Sequence, residues 1–301
     1  MLFERLLDQL SHHPPRRIAV AAAAGPSLID AMVLARERGL AQPVLFGDAG
    51  VIHRDAADAG HSLLPGEVEH CAEPAAALRD AVAAVRSGDC SVLVKGSVAT
   101  PDFLRAVLHR DAGLRGVGLI SHMAVFELDR LGRPLFLTDS GLNPYPDLDA
   151  KIEILRLGIG FLQGLGYRRP KVAVLSSSEL PDARIPASRD AVALVQAAAG
   201  DALGVADVAG PYALDLAVDP HAAALKGIES PVAGRADLLI CPDVVAGNIL
   251  GKSMLYLAYA RGAGVILGAR APVVMLSRAD GPVTRLNSLA LALASERGGV
   301  A

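Results

Sequence analysis

The chain predicts an α/β protein of two domains with a three-layer αβα architecture, and three observations carry that prediction. Short apolar runs rich in Val, Ile and Leu alternate with longer Ala- and Leu-rich segments of helical period, the pattern of βαβ units around a mainly parallel sheet. A length of 301 residues suits one large domain or two of ordinary size, and buries roughly 75% of the unfolded surface. The turn-rich stretch Thr138 to Asp149, TDSGLNPYPDLD, then separates a strand from a long helix and reads as a boundary.

The elements follow in order. MLFERLLDQLSHHPPRR is an amphipathic helix candidate, and Arg17 to Ala22 is a strand. Helices are expected at Pro26 to Gly39, Pro74 to Ser87, Pro101 to Leu108 and Asp147 to Leu165. Three more are expected at Pro186 to Ala199, Pro220 to Lys226 and Val245 to Ala260. Most open with Pro or Asp in the first turn and several stop at a Gly, the asymmetry helix termini prefer. Between them, strands are read at Pro43 to Phe46, Ser91 to Lys95, Pro134 to Leu137 and Lys171 to Leu175. The last strands are Ala236 to Cys241, Gly264 to Leu267 and Pro272 to Leu276. A second boundary near Ala263 to Ala271 lets the carboxyl-terminal segment return. The expected domains are therefore 1–143 with 268–301, and 144–267.

Composition excludes several classes. Hydrophobic residues make up 52%, yet no apolar run approaches the roughly 20 residues that cross a bilayer. The start lacks an export-signal cleavage pattern, so the reading is cytoplasmic with no membrane partner. Net charge is −3, from 29 basic and 32 acidic residues spread along the chain, so nucleic acid is not expected as a partner. Cys71, Cys90 and Cys241 occur singly, no metal-ligand spacing is present, and all three read as reduced core thiols. His12 and His13 are read as surface residues. No Gly-x-Gly-x-x-Gly follows a strand, and Gly247 to Ser253 (GNILGKS) is one residue short between its glycines for a phosphate loop and lies in a helical pattern. Dehydrogenase and ATPase readings lose support.

Two segments concentrate polar groups after apolar strands, where α/β enzymes place their sites. In Ser230 to Lys252, a helix bears Asn248 and Lys252 at i, i+4 spacing on one face near an opening turn suited to an anion. The alternative makes Asn248 a cap and Lys252 a solvated charge. In the closing segment PVVMLSRADGPVTRLNSLALALA, Ser277, Arg278 and Asp280 follow a strand within one loop. An Arg fork matches phosphate oxygens bidentately, and a Ser hydroxyl can donate to a carbonyl oxygen gaining charge. Their other reading is a capped turn with an Arg–Asp pair. Lys95 and Gly96 end a strand before a helix start, as a phosphate site or an ordinary turn. Ser121 enters an apolar run with His122, a core imidazole or a participant. Thr138, Asp139 and Asn143 end a strand and either orient substrate or build the interdomain turn.

These segments, with SPVAG at Ser230 to Gly234, resemble the phosphate acyltransferases, the phosphate butyryltransferase branch more closely than the phosphate acetyltransferase branch. The likeness runs from about Val92 to Ala294. It implies an isocitrate/isopropylmalate dehydrogenase-like fold with the active site in a cleft between domains. It also implies reversible transfer of a short acyl group between coenzyme A and inorganic phosphate through a ternary complex, with both as substrates and no further cofactor. Ser277 and Arg278 carry over as the pair that binds phosphate and stabilises the transition state. The acetyl branch places an acid farther along; Thr284 stands there in this chain, and Asp280 is the nearest replacement as base. A symmetric homodimer is expected from the Gly- and Ala-rich helices. Two alternatives stay open: a metal-dependent oxidoreductase of the same fold using Asp139, Asp243 and Asp280, and an inactive coenzyme A-binding module.

Overall fold

The computed structural model describes residues 1–277 and 280–297. In chain order, the first elements are α1 (Leu2–Ser11), β1 (Arg16–Ala21), α2 (Pro26–Glu37), β2 (Ala41–Gly47), α3 (Ala49–Asp58), β3 (Val68–His70), α4 (Pro74–Ser87), β4 (Val92–Lys95) and α5 (Thr100–Val107). There follow β5 (Ser121–Glu127), β6 (Pro134–Thr138), α6 (Leu148–Gly164), β7 (Lys171–Leu175), α7 (Pro186–Ala197), β8 (Asp207–Tyr212), α8 (Leu214–Val218), α9 (Pro220–Leu225), β9 (Leu238–Ile240) and α10 (Val244–Tyr256). The chain closes with β10 (Arg261–Leu267), β11 (Val273–Val274) and α11 (Pro282–Arg297).

The chain divides into two compact units, one built from Leu2–Val117 and the segment from Ala263 onward, the other from Gly118–Gly262. The first crossing therefore lies at Val117, not in the turn cluster after Thr138 where the sequence reading put it, and the second lies at Gly262. The reason is strand pairing: β6 runs antiparallel to β5 and parallel to β9, which binds the β5–β6 hairpin to the second unit.

In the first unit the strand order is β3-β2-β1-β4-β11-β10, parallel except where β10 meets β11. The chain moves outward from β1 through α2 and α3, then returns across the sheet through α4 to reach β4. Right-handed crossovers in opposite directions put helices on both faces, giving three layers. In the second unit the order is β5-β6-β9-β7-β8, and the same rule separates α6 and α7 from α8 and α9. Each sheet is buried on both faces. Ile18, Leu93 and Val273 are wholly buried in the first unit, and Phe136, Val172 and Leu239 in the second, which is why these strands read as unbroken apolar runs.

Six elements escaped the expected set. β3 is a three-residue edge strand, α3 carries a polar outer face, and α8 is five residues long. β8 contains Gly210 and Pro211, which sequence rules demote and which an edge strand tolerates. β5 opens on the polar Ser121 and His122. In α11 the alternating LALALA mimics a strand, but Leu286 and Leu289 to Leu293 are all buried where α11 packs against α1 and α2. Asn287 and Ser288 are buried as well, so from Leu286 to Leu293 no solvent-facing polar stripe marks the helix.

Candidate active site

In the first unit, β1 and β4 are parallel but the order in which successive strands are added reverses between them, the switch point at which open α/β sheets present ligand sites beyond their carboxyl ends. Lys95 ends β4 there, with 5% of its surface exposed, and its Nζ donates to the Gly96 carbonyl at 3.4 Å. Gly96 N–H donates to Ala21 O at 2.9 Å and Ser97 N–H to Ala22 O at 2.8 Å, so the turn is laced onto the end of β1. A Cβ at position 96 would collide with both of those carbonyl oxygens, so this residue must be Gly.

β11 runs parallel to β4 with Val273 opposite Leu93 and Val274 opposite Val94. Continuing that register brings the chain after Val274 out beside Lys95 and Gly96. Ser277 is exposed there, and its N–H donates to Asp280 Oδ2 at 2.8 Å while its carbonyl accepts from the Asp280 N–H at 3.2 Å. Arg285, in the first turn of α11, donates Nε to Asp280 O at 3.1 Å and Nη2 to Ser277 O at 3.3 Å. Burial lowers the Arg285 pKa from its ordinary value, with the Asp280 carboxylate working the other way. Arg278 lies outside the described residues. Lys95, Gly96, Ser277 and Asp280 thus emerge at one end of neighbouring strands.

The second unit gathers a polar network at the carboxyl ends of β6 and β9. Ser121 is fully buried, and its Oγ bonds Thr138 Oγ1 at 2.7 Å. The Asp139 carboxylate accepts from the N–H groups of Gly141, Leu142 and Asn143 at 2.8, 3.0 and 3.1 Å and from Asn143 Nδ2, which also reaches Ile120 O at 2.9 Å. This is the Asx geometry that turns a chain sharply, with both oxygens committed. His122 Nδ1 bonds Ser140 Oγ at 2.7 Å, and its ring lies against Gly141.

α10 docks on the same loop. Asp243, not Asn248, is its cap, accepting the Ala246 N–H at 2.8 Å. A Cβ at Gly247 would strike the Asp139 carbonyl, so that glycine permits the helix to approach. Asn248 Nδ2 reaches Ser140 O at 3.5 Å. Lys252 is exposed and stands 5.9 Å from the centroid of the Tyr256 ring, two turns into the helix and apart from its opening amides. The GNILGKS string falls wholly inside α10, so it forms no phosphate loop.

The cysteines are all free. Cys90 and Cys241 are buried, whereas Cys71 is partly exposed, because it follows the edge strand β3, and is no core thiol. Burial, with Asp139 and Asp243 adding to it, pushes the Cys241 thiol far up, so it is a packing group beside the network and not a nucleophile. His12 and His13 are exposed, as expected.

Sequence reasoning missed Ser140 and Arg285, and named Thr138 without its partner Ser121. Asp243 was read only as the end of a strand; its place before an apolar run, with the chain turned by Pro242, is the signal that marks it as the cap. Arg285 offered no signal, since its two partners are backbone carbonyls brought near by the turn into α11.

Against known proteins, residues 67–293 match the family described as phosphate acetyl/butaryl transferase. The chain is 36% identical over 290 residues to the phosphate butyryltransferase of Clostridium beijerinckii, covering 96% of each. It is 37% identical over 290 residues to the phosphate acetyltransferase of Rhizobium meliloti, covering 96% of this chain and 92% of that one. Among solved structures it is similar to a branched-chain phosphotransacylase from Enterococcus faecalis, with a TM-score of 0.81 at 29% identity, covering 93% of this chain and 98% of that one. The likeness extends well before Val92, where the sequence reading began it.

Proposed function

The chain belongs to the phosphate acetyl/butyryl transferase family, and from that premise we propose that Ser277, Arg278 and Asp280, with Lys95, carry its chemistry. The enzyme is an acyltransferase that moves a short acyl group reversibly between coenzyme A and inorganic phosphate. Beyond the family itself, the observation that supports these residues is the register of β4 and β11, which delivers Lys95 and the Ser277 loop to the same strand end at a switch point.

In the direction of thioester synthesis, acyl phosphate and coenzyme A bind together. The thiol proton passes to a carboxylate, for which Asp280 is the nearest candidate in the loop. The sulfur forms a bond to the acyl carbon, the bond from that carbon to the bridging phosphate oxygen breaks, and phosphate leaves with the electron pair. The carboxyl group returns that proton to the leaving oxygen, so phosphate departs as the hydrogen phosphate dianion held by Arg278 and Lys95, and the Ser277 hydroxyl donates to the carbonyl oxygen as it gains charge. A thiol titrates near pH ~8.5, so a modest base suffices and no covalent enzyme intermediate is needed. Gly96 supplies backbone approach. On the second unit we assign substrate binding to Ser121, Asp139, Asn143, Asn248 and Lys252, with Asn143 and the buried Ser121 and Asp139 acting by shaping their loop and Lys252 by offering an exposed ammonium to an anionic group.

Coenzyme A and phosphate are then substrates and no further cofactor is required. The oxidoreductase reading is not favoured, because Asp139 and Asp243 already spend carboxylate oxygens on backbone N–H groups. We also read the protein as a cytoplasmic homodimer. Free cysteines suit a reducing compartment, and among the described residues no helix is long and apolar enough to cross a membrane. Val245, Ile249 and Tyr256 expose one apolar stripe of α10 that a second copy would cover.

The test is direct. Purified protein is mixed with acetyl, butyryl or branched short-chain acyl coenzyme A, with and without phosphate, and thioester absorbance is followed. Phosphate-dependent loss with at least one of these is expected, and none with any of them refutes the assignment.

A further inference from the structure

We propose that Arg285 is a positioning residue that fixes the Ser277 hydroxyl, a role that rests on the acyl-transfer reading above. The argument begins with Ser277 itself. Its N–H belongs to the peptide plane before its Cα and its carbonyl to the plane after it. The N–H is held by Asp280 Oδ2 at 2.8 Å. The carbonyl is held twice, by the Asp280 N–H at 3.2 Å and by Arg285 Nη2 at 3.3 Å. With both planes tied, the φ and ψ of this one residue are set, and with them the direction of its Cα–Cβ bond.

The clamp depends on a guanidinium. Nε and Nη2 lie on one edge of a rigid planar fork, and here each takes a different carbonyl, Asp280 O and Ser277 O. An ammonium is a point donor and cannot span both in the same fixed geometry. The fork is itself anchored, since the Arg285 N–H donates to Gly281 O at 3.2 Å as the first turn of α11 forms, and α11 is buried from the next residue, Leu286, through Leu293. Half-burial of the side chain strengthens both contacts relative to water. Arg285 therefore transmits the rigidity of a packed helix to an exposed loop residue. A donor aimed at a developing oxyanion loses its effect if it wanders, and misplacement by about 1 Å can cost about 10² in rate.

The decisive measurement is a double-mutant cycle. Arg285→Gln is expected to lower kcat about 10²-fold, leaving the KM for the acyl thioester within about twofold. Arg285→Lys should recover part of that loss. In a Ser277→Ala background, Arg285→Gln should cost nothing further, because the group it positions is gone. Equal losses in both backgrounds overturn the proposal, as does wild-type kcat in a folded Arg285→Gln protein. Where Arg285→Gln fails to fold, the cycle is run with Arg285→Lys. Hydrogen exchange gives a readout independent of turnover: the Ser277 and Asp280 amides should exchange faster in the variant, and unchanged protection refutes the clamp. A wild type without phosphate-dependent turnover, by contrast, sinks the acyl-transfer reading and this role with it.

Discussion

Asp139 concentrates more hydrogen bonds than any other side chain in the second unit's network, and every donor is part of its own loop. An Asn at this position keeps the shape but has one acceptor oxygen, and turns an N–H toward an N–H it formerly received. The change Asp139→Asn is expected to destabilise by about 1.5–3 kcal/mol, the worth of hydrogen bonds to a charged acceptor. Urea unfolding checks it, and an unchanged midpoint would show that the loop is held by other means. The sequence revealed Asp139 as a turn former or a substrate ligand without deciding between them. Residue type marks chemistry, whereas the direction of an oxygen depends on neighbours such as Asn143, whose own side chain is held by the Ile120 carbonyl just before β5. Arg285 illustrates the same limit more sharply, because a contact to backbone carbonyls leaves no trace in the identity of the partner.

At the scale of elements, α10 links local signals to the network. Its start is set by Asp243 and its depth by Gly247. Removing the cap with Asp243→Ala should cost about 1 kcal/mol. Gly247→Ala should cost about 1–3 kcal/mol despite the gain in helix propensity, because its methyl group meets a backbone carbonyl that cannot swing aside. Thermal unfolding of the two variants distinguishes them: if Gly247→Ala is as stable as the parent, the close approach is not required. The long helices and buried parallel strands were legible because Pro, Asp and Gly mark their ends and each satisfies a local rule. α11 was hidden because its burial comes from α1 and α2, far away in sequence, and an unbroken buried run from Leu286 to Leu293 carries no period to detect. β8 was hidden because only its edge position tolerates Pro211.

On the scale of the whole molecule, the α/β class and the return of the carboxyl-terminal segment could be read from the order of elements, while the crossing at Val117 could not. Turn-rich composition located a sharp loop, but unit membership follows strand pairing between β6 and β9, a contact across a hundred residues of sequence. The homodimer reading makes a prediction at this scale. Light scattering should return twice the 31.1 kDa mass of one chain, and Ile249→Lys, a charge placed on the exposed apolar stripe of α10, should shift the population to the single-chain mass. A parent protein with the single-chain mass at assay concentrations would rule that reading out.

Because β11 enters between β4 and β10 only after the whole second unit has been synthesised, the first unit leaves the ribosome with β4 as a bare sheet edge. At roughly 5–20 residues per second that edge waits on the order of ten seconds for its neighbour. During this interval the nascent chain exposes an apolar template open to mispairing. Chains that stop short of β11 would keep that wound open, so a segment made after the whole second unit heals the sheet begun by the first.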